Sequence, residues 1–554
     1  MLNERDARGG GLITRRELLR STLAAGGAGV VGLSCSRAPV ERAVPGRLLG
    51  PSAALGHRLR DHTYPAPSTT REAQVVIAGA GIAGLAAAYA LRRQGVRDVL
   101  LIDALPEPGG NASSGRNAVS AYPWGAHYVP LVRPDCAPVL DLFTQLGIIT
   151  DRDAENRPVY NEYFLSADPQ ERLLILGRWQ DGFVPTLGAS ARDQAQFTAF
   201  FASTERMKHA VGRDGKPIFS IPVENSTSDP EWRELDRITF AQYLRREGFD
   251  SPRLLWYADY CCRDDYGAVA GDVSAWAGLH YFASRNGVAA NADPSSVVTW
   301  PEGNGYLARE LAQRSAAEFQ GDSLVTQVAR TATGVSLDYF DARLDRSVRV
   351  NARAVIVCLP RFVAVRVVQG LTPEGASAFS YSPWMVANVT LSRLPGGRGQ
   401  PLAWDNVIYD SPLLGYVVAT HQGLEQRRTD TVITYYWPLS AGAPDVERGA
   451  ALARSLSDWQ AIVTNDLLRA HPELERAIQH IDVWLWGHGM IRPTPGFIWG
   501  GARQAAALTQ TPPLFFAHSD LSGISIFEEA YCRGQAAGEA AAGALASPLG
   551  AAAA

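Results

Sequence analysis

Lysine is almost absent from this sequence. Only Lys208 and Lys216 are lysines, and every other residue with a permanently charged basic side chain is an arginine. The formal net charge at pH 7 is −4, which leaves no positive surplus for a nucleic-acid surface. We therefore expect no nucleic-acid partner.

Cysteine is also scarce, and its spacing argues against the common metal motifs. The six cysteines include no Cys-x-x-Cys pair and no Cys/His pattern of the kind that binds zinc. Adjacent Cys261 and Cys262 could form only a strained bridge, so we interpret them as two neighbouring buried thiols. No metal site is predicted.

Long apolar runs are missing as well, and the one weakly apolar run follows a twin-arginine motif. Thr14-Arg15-Arg16-Glu17-Leu18-Leu19 precedes Ser21–Leu33, which is too short and too rich in Gly and Ala to span a bilayer stably. This order resembles a Tat export signal, so residues 1–38 are predicted to be a signal peptide that engages the Tat translocon and directs the protein to the periplasm. Cys35 offers a lipid-anchor site, and Ser36-Arg37-Ala38 offers a peptidase site as the alternative.

The stretch that organises the rest of the chain is Gln74–Gly110. An apolar β-branched run leads into Gly79-Ala80-Gly81-Ile82-Ala83-Gly84, and an alanine-rich helical segment follows. A second apolar run ends at Asp103, 22 residues after Gly81. A strand, glycine turn, helix, strand and acid in this order predict a dinucleotide-binding βαβ unit; the alternative is an ordinary βαβ turn.

Each part of this unit has a mechanical role. Gly79 permits the tight turn, Gly81 allows the backbone to approach a pyrophosphate, and Gly84 allows the helix to pack on the strand. The helix N-terminus presents free N–H groups to phosphate, and Asp103 can accept hydrogen bonds from a ribose.

The segments after Asp103 carry a family resemblance. Gly109-Gly110-Asn111 and Trp124-Gly125-Ala126-His127-Tyr128 resemble the glycine-rich segments of FAD proteins of the glutathione-reductase type, including flavin amine oxidases and phytoene desaturases. That family usually has arginine directly after the Gly-Gly pair, where this chain has Asn111, and we expect Arg116 to substitute. The resemblance implies that the backbone near Val325 contacts adenine.

The C-terminal return supports the same resemblance. Leu514-Phe515-Phe516-Ala517 reads as a buried strand, and His518-Ser519-Asp520 then leads into a helix from about residue 526 to 541. This resembles the closing FAD motif of flavin amine oxidases, in which Asp520 would contact the ribityl or pyrophosphate group and the helix N-terminus would face the flavin. The cofactor-binding residues implied by the resemblance are Gly79, Gly81, Ile82, Ala83, Gly84, Asp103, Gly109, Gly110, Arg116, Gly125, Ala126, His127, Val325, Asp520, Ser525, Ile526 and Phe527.

The resemblance implies an α/β fold in which a Rossmann-like FAD-binding domain is interleaved with an α+β substrate domain. The predicted segments are a linker or surface wrap, three FAD-binding parts, two substrate-domain parts and a disordered tail. Their bounds are 39–73 for the linker, 74–150, 295–370 and 481–545 for FAD binding, 151–294 and 371–480 for the substrate domain, and 546–554 for the tail.

The expected chemistry is hydride removal from a C–H bond next to nitrogen, with FAD as the cofactor and a small amine as the substrate. His488, His518 and Trp486 are the candidate catalytic residues, although each histidine could instead be a satisfied buried residue. Segments around His488 and His518 are distantly similar to bacterial spermidine dehydrogenases. Flavin amine oxidases often hold a lysine near flavin N5, but both lysines of this chain fall in residues 206–217. The electron acceptor is therefore oxygen, a quinone or a cytochrome, and we favour one of the last two.

Several assignments stay open at this point. Ile526 stands where the family has an aromatic-cage tyrosine, so an aromatic sandwich for the amine is in doubt. Arg263-Asp264-Asp265-Tyr266 is interpreted as a surface helix cap with a salt bridge, with a cation site as the alternative. Glu528 and Glu529 either complement the dipole of the closing helix or bind a cationic amine, and we favour the former. A polyene or carotenoid desaturase or isomerase, and a non-catalytic flavin-binding export partner, are the rival functions.

Overall fold

The computed structural model describes residues 44–371, 375–425, 428–508 and 511–546. The predicted signal peptide, the Cys35 anchor and residues 547–554 of the predicted tail lie outside these ranges. Among the described residues, no helix is both long and apolar enough to cross a bilayer.

The strands, in chain order, are β1 (Leu48–Leu49), β2 (Pro67–Ala78), β3 (Val99–Ile102), β4 (Ser114–Arg116), β5 (Ala121–Pro123), β6 (Tyr128–Pro130), β7 (Ile149–Arg152), β8 (Pro158–Tyr160), β9 (Glu171–Ile175), β10 (Arg178–Asp181), β11 (Val297–Thr299), β12 (Glu318–Gln320), β13 (Ser323–Arg330), β14 (Val335–Asp341), β15 (Arg346–Val357), β16 (Tyr381–Leu391), β17 (Asp405–Ile408), β18 (Tyr416–Val418), β19 (Thr431–Pro438), β20 (Ile478–Ile491) and β21 (Leu514–Phe516).

The α-helices are α1 (Ala53–Asp61), α2 (Ile82–Arg93), α3 (Ala137–Gln145), α4 (Ala191–His209), α5 (Pro230–Arg233), α6 (Phe240–Arg246), α7 (Pro252–Tyr266), α8 (Ala275–Ala283), α9 (Gly305–Ser315), α10 (Arg361–Val367), α11 (Pro444–Ala453), α12 (Leu456–Ala470), α13 (Gly501–Leu508) and α14 (Phe527–Ala546).

A seven-stranded sheet forms around the predicted dinucleotide-binding unit. Its order is β12-β3-β2-β15-β14-β13, and β21 also pairs with β15. Strands β12, β3, β2, β15 and β21 are parallel to their neighbours in this set, whereas β13, β14 and β15 form an antiparallel meander. The apolar residues of β2 and β3 are buried, as a parallel sheet covered on both faces requires. The predicted α/β fold is confirmed.

A second, eight-stranded sheet has the order β1-β20-β16-β19-β18-β17-β9-β10. Its centre, β20-β16-β19-β18, is antiparallel. Two pairs, β1 with β20 and β17 with β9, are parallel. Residues from three distant parts of the chain therefore share this sheet.

The linker interpretation of residues 39–73 is wrong for its described part, because that part contains β1, α1 and the start of β2, and a surface wrap describes it better. Local signals separate two pairs of neighbouring helices. Gly248, with φ of +80°, follows α6, and Pro252 begins α7. Ser455 lies between α11 and α12 and caps the second.

Candidate active site

A cavity of about 1170 Å³ lies where the carboxyl ends of β2, β3 and β15 meet strands β16 and β20. Ligands bind at this end of open α/β sheets. The cavity exceeds the roughly 300–1,000 Å³ of a typical small-molecule pocket, so it has room for a cofactor together with a substrate. Of all the site residues predicted from sequence, only Gly84 and Arg116 are not in its wall.

The glycine turn between β2 and α2 shapes one end of the cavity. Gly79 has φ of +100°, and a Cβ there would lie 2.4 Å from the Cys358 carbonyl oxygen. A Cβ on Gly84 would lie 1.9 Å from the Gly79 carbonyl oxygen, so this glycine seats α2 against the turn. Gly81, the N-cap of α2, would meet only Gly110 Cα at 3.9 Å, which leaves its surface open to the cavity. The three positions match the mechanical roles expected of them.

Asp103 fixes the conformation of this turn. Its Oδ2 accepts a hydrogen bond from the Ala80 N–H at 2.6 Å, and its Oδ1 accepts one from the Leu105 N–H at 2.8 Å. Burial raises the pKa of the carboxyl, and the backbone donors oppose that shift. Each oxygen retains a free lone pair in the cavity wall for a ribose hydroxyl.

The Gly-Gly segment lies directly across from the glycine turn. The Gly109 N–H donates to the Ala80 carbonyl at 2.9 Å, and Gly110, with φ of +56°, would bring a Cβ 3.0 Å from Gly81 Cα. The Asn111 amide donates to the Gly489 carbonyl of β20, so it joins the two sheets. Arg116 is a correction: it is exposed on β4, away from the cavity, and does not replace the missing arginine.

Residues 125–127 form the floor between the two sheets. A Cβ on Gly125 would lie 2.3 Å from the Asn111 carbonyl oxygen, and the same oxygen accepts the Ala126 N–H at 2.9 Å. The His127 ring stacks on Tyr436 with 4.5 Å between centroids, and burial lowers its pKa to about 4. His127 is therefore neutral at physiological pH.

Asp520 lies in the wall beside this floor and is 2% exposed. Its Oδ2 accepts the Tyr381 hydroxyl at 2.5 Å and the Arg361 N–H at 2.9 Å, and its Oδ1 lies 2.9 Å from His518 Nδ1. Burial opposes ionisation, but His518, Tyr381 and the Arg361 amide outweigh it, so the pKa of Asp520 is lowered. His518 Nδ1 also accepts the Asp520 N–H at 3.1 Å, so His518 caps the short turn that carries Asp520.

The N-terminus of α14 also points into the cavity, and Ser525, Ile526 and Phe527 line it there. The first N–H groups of a helix have no partner within the helix and favour an anionic or electron-rich group. Asn304 adds an unpaired acceptor, since its amide donates to the Tyr128 carbonyl while its buried Oδ1 receives no hydrogen bond from the described residues. These open donors and acceptors fit the phosphate, ribose and ring edges of a dinucleotide.

Comparison with known proteins decides the family. The sequence model of the family "Flavin containing amine oxidoreductase" matches residues 82–392, which is more than half of the chain. The chain belongs to this family. It is an FAD-dependent oxidoreductase, and its cofactor is FAD.

Solved structures share the fold. Cyclohexylamine oxidase from Brevibacterium oxydans IH-35A aligns with a TM-score of 0.60 at 17% identity, over 86% of this chain and 100% of that one. Putrescine oxidase bound to putrescine aligns with a TM-score of 0.58 at 15% identity, over 85% and 99%. A fatty acid isomerase from P. acnes that produces CLA gives 0.58 at 14%, over 84% and 97%. No curated protein sequence matches the chain.

In this flavin amine oxidoreductase the two remaining catalytic candidates lie on β20. The Trp486 indole N–H donates to the Trp124 carbonyl at 2.6 Å, so it holds the cavity floor. The His488 ring stacks on Phe362 at 4.2 Å between centroids. Loss of hydration in the cavity, with help from Arg448 and Arg366, lowers the pKa of His488 to about 4.

An acidic region of the wall is the main feature that the sequence interpretation misplaced. Asp264 and Asp265 line the cavity rather than capping a surface helix, and Asp265 forms an ion pair with Arg285. Glu528 and Glu529 are buried in the first turn of α14, where carboxylates complement the helix dipole. The signal in the sequence was the buried stripe of α7, since Asp265 follows Leu254, Ala258 and Cys261 at helical spacing.

The Glu529 carboxylate accepts the Val223 N–H at 2.6 Å, whereas Glu528 lines the cavity and has a pKa raised to about 7 by burial. Glu529 therefore has a structural role, and Glu528 is the one of the two that lines the cavity. Spacing along one helix could not have separated the two, because they are adjacent in sequence.

Proposed function

We propose that the protein oxidises an amine by removing hydride from the C–H bond next to nitrogen. The observation that carries the proposal is the convergence of the Gly81 turn, Asp520 and the α14 N-terminus on one cavity. When bound, FAD supplies the redox chemistry by accepting two electrons and the hydrogen from the substrate carbon. The substrate nitrogen becomes an iminium, which water hydrolyses.

The residues of the chain position the amine and exclude water from the cavity; none of them reacts covalently with the substrate. Neutral His127 and the Tyr436 ring beneath it present an uncharged aromatic surface, which suits a neutral amine at the reacting position. The α14 N-terminus lines the cavity, where its free N–H groups would stabilise negative charge on a bound electron-accepting ring. Trp486 and Asn111 hold the floor of the cavity at a fixed distance from β20.

The proposed acceptor is a quinone or cytochrome rather than oxygen. Lys208 is paired with Glu205 at 2.9 Å on α4, Lys216 lies in the turn after it, and neither lines the cavity. No lysine of this chain is thus placed to promote reaction of reduced flavin with oxygen. Stopped-flow reoxidation in air tests this: we expect slow reoxidation, and rapid peroxide release contradicts it.

The test of amine oxidation uses the purified holoenzyme under anaerobic conditions. Amines from a panel with an artificial acceptor are expected to bleach the flavin absorbance, and a polyene is not. Bleaching by a carotenoid alone would support the desaturase or isomerase alternative. A flavin that no donor reduces would support a non-catalytic binding protein.

We also propose that the enzyme acts after Tat export. The twin arginines Arg15 and Arg16 before an apolar run support this, and Cys35 supports a lipid anchor. Replacing both arginines by lysine is expected to retain the protein in the cytoplasmic fraction. Cys35→Ser is expected to move the protein from the membrane fraction to the soluble periplasmic fraction. If the distribution between the fractions is unchanged, the lipid-anchor proposal is wrong.

A further inference from the structure

Two cysteines from distant parts of the chain place their sulphur atoms in contact. Cys136 is the N-cap of α3, and Cys532 lies in the second turn of α14, 396 residues further along the chain. Their Sγ atoms are 4.0 Å apart, at which distance one thiol donates to the other. Among the described residues, no other two cysteines from separate elements make such a contact.

The two thiols lie in a packed interface between helices. Cys136 is 1% exposed and belongs to the core under α2 and α3, and the partly exposed Cys532 packs against the same core. The helices α3 and α14 also meet at Phe143 and Phe527, whose ring centroids are 6.4 Å apart. Because two separate contacts join the helices, the sulphur atoms are held facing each other.

A disulfide between these sulphurs requires only a small movement. An S–S bond is about 2.05 Å long, so the two atoms would have to approach by about 2 Å. Rotation of one side chain between staggered conformers moves its sulphur by a comparable distance. Adjacent Cys261 and Cys262 do not have this option, since a bridge between neighbouring residues is strained.

The pair joins two segments that are next to the cofactor cavity. Phe527 and Glu528 line the cavity at the N-terminus of α14, and Cys532 follows Glu528 by one helical turn. On the other side, α3 follows the cavity floor, residues 125–127, through β6 and a short loop. A covalent bond here would hold the N-terminus of α14 at a fixed position relative to the floor.

We propose that Cys136 and Cys532 form a disulfide that fastens α14 to α3 and slows the release of FAD. The proposed export supplies the setting, because disulfides persist in the periplasm and are rare in the cytosol. The bond is independent of which substrate the enzyme oxidises.

The bond forms by thiol–disulfide exchange with a donor disulfide, which is a thiol oxidase in the cell and oxidised glutathione in the test. The thiolate of Cys532, the more exposed of the two, attacks one glutathione sulphur and releases a glutathione thiolate. The Cys136 thiolate then displaces the second glutathione. In total the two cysteines lose two protons and two electrons, and the donor disulfide gains them as two thiols.

The exchange should be slow compared with that of an exposed cysteine. The hydrogen bond with Cys136 and burial both raise the pKa of Cys532, and the thiolate is the reactive form. The oxidation is therefore followed to completion before the products are mapped.

The first experiment asks whether the bond forms. Reduced full-length holoenzyme is incubated with oxidised glutathione, the remaining thiols are alkylated with iodoacetamide, and unreduced peptides are mapped by mass spectrometry. We expect one linked pair of peptides that contains Cys136 and Cys532, with Cys261, Cys262 and Cys358 alkylated. If Cys136 and Cys532 are both alkylated, or if Cys532 only carries glutathione, the disulfide is wrong.

The second experiment asks whether the bond holds the cofactor. FAD release, followed by the rise in flavin fluorescence, and the thermal unfolding midpoint are compared between the oxidised protein and the same protein treated with dithiothreitol. The oxidised protein is expected to release FAD about tenfold more slowly and to unfold roughly 3–10 °C higher. Equal release rates would overturn the cofactor role even if the bond forms.

Substitutions assign these effects to the pair. Cys532→Ser and Cys136→Ser should each abolish the difference between the oxidised and reduced forms, and the comparison within one variant removes any packing loss caused by the substitution itself. Cys262→Ser is the matched control, because Cys262 is also 1% exposed but lies in α7, outside the cavity wall. It should keep the full difference. A difference that persists in Cys532→Ser and Cys136→Ser, or that is lost in Cys262→Ser, would contradict the proposal.

Discussion

Asp520 keeps a negative charge in a buried position because donors and a histidine surround its carboxylate. Tyr381 and the Arg361 amide donate to Oδ2, and His518 lies 2.9 Å from Oδ1 while its Nδ1 accepts the Asp520 N–H. Hydrogen bonds to a charged group are worth more than those between neutral groups, and an unsatisfied buried group is costly. The residue can therefore remain ionised beside a bound cofactor.

Tyr381→Phe tests this arrangement at the level of one hydroxyl. The change leaves Asp520 with one donor fewer, so the free energy of unfolding is expected to fall by roughly 1–3 kcal/mol. Denaturant unfolding of the holoenzyme measures it. Tyr163→Phe is the control, because that side chain is 65% exposed and should cost less than about 0.5 kcal/mol. Equal stability of the two variants would show that the Tyr381 hydroxyl is not needed.

At the scale of elements, helix α2 is placed by one glycine. Gly84 lets α2 approach the turn after β2, and α14 packs along α2 through Gly534 and Gly538, whose added Cβ atoms would meet Ala83 and Ala87 carbonyl oxygens at 2.1 and 2.5 Å. Both helices that flank the predicted phosphate region thus depend on small residues. This close packing sets the position of the glycine turn at one end of the cavity.

Gly84→Ala is expected to displace α2 and to weaken FAD binding. Overpacking against backbone cannot relax through a flexible side chain, so the free energy of unfolding should fall by about 1–3 kcal/mol or more. FAD titration of the apoprotein and thermal unfolding both measure the change. Gly449→Ala in α11 is the control, since a Cβ there meets no atom within 4 Å, and it should be neutral or stabilise by about 0.5–1 kcal/mol. Identical behaviour of the two variants would contradict the packing argument.

An N-terminal strap, residues 44–61, contributes β1 and α1 to the cavity wall. Its backbone pairs with β20, and Arg47 donates from both its main chain and its guanidinium to Asp482. Asp482 is 3% exposed at its side chain. This buried acceptor is the main polar attachment of the strap.

Asp482→Ala is expected to loosen the strap and to expose it to protease before the rest of the domain unfolds. Limited proteolysis followed by mass spectrometry locates the first cleavage, which we expect within residues 44–61. Asp345→Ala is the control, because Asp345 also pairs with the strap, through Arg58 at 3.4 Å, but is 82% exposed. Exposed pairs contribute roughly 0–1 kcal/mol, so this variant should be cleaved like the parent. If the strap is cleaved in neither variant, Asp482 does not hold the strap in place.

At the scale of the whole molecule, buried carboxyl groups gather at the cavity: Asp264 and Glu528 line its wall, and Glu171 interacts electrostatically with Asp264 from outside the wall. The pKa values of Glu171, Asp264 and Glu528 are each raised to about 7, mainly by burial. A carboxyl with a raised pKa holds a proton in the folded state that the unfolded chain has lost. Stability from such groups therefore falls as pH rises from about 4.5 to 7.

Glu171→Gln should reverse part of this loss. At pH 8 the variant avoids an uncompensated buried charge beside Asp181, Asp264 and Asp405, so its free energy of unfolding should exceed that of the parent by on the order of 1–3 kcal/mol. At pH 5 the parent carboxyl is protonated and the two proteins should agree. Denaturant unfolding at both pH values measures the difference, and Glu107→Gln, at an exposed carboxylate outside the cavity wall, serves as control. A variant less stable at pH 8 would contradict uncompensated charge at Glu171.

The sequence by itself determined the two local units that form the end and one wall of the cavity. The glycine turn with Asp103 and the closing strand with Asp520 are set by residue spacing within about thirty positions, and spacing of that kind fixes backbone conformation locally. His127, Val325 and Ile526 could be placed through the family resemblance because they accompany those units.

Only the tertiary structure decided which acidic residues line the cavity. Asp264 and Asp265 reach its wall through the docking of α7 and Glu528 through that of α14, and no local pattern encodes that meeting. The strap follows the same logic, since it enters the cavity wall through the pairing of β1 with the distant strand β20. Contacts across hundreds of residues depend on sheet order, which side-chain spacing along one segment does not specify.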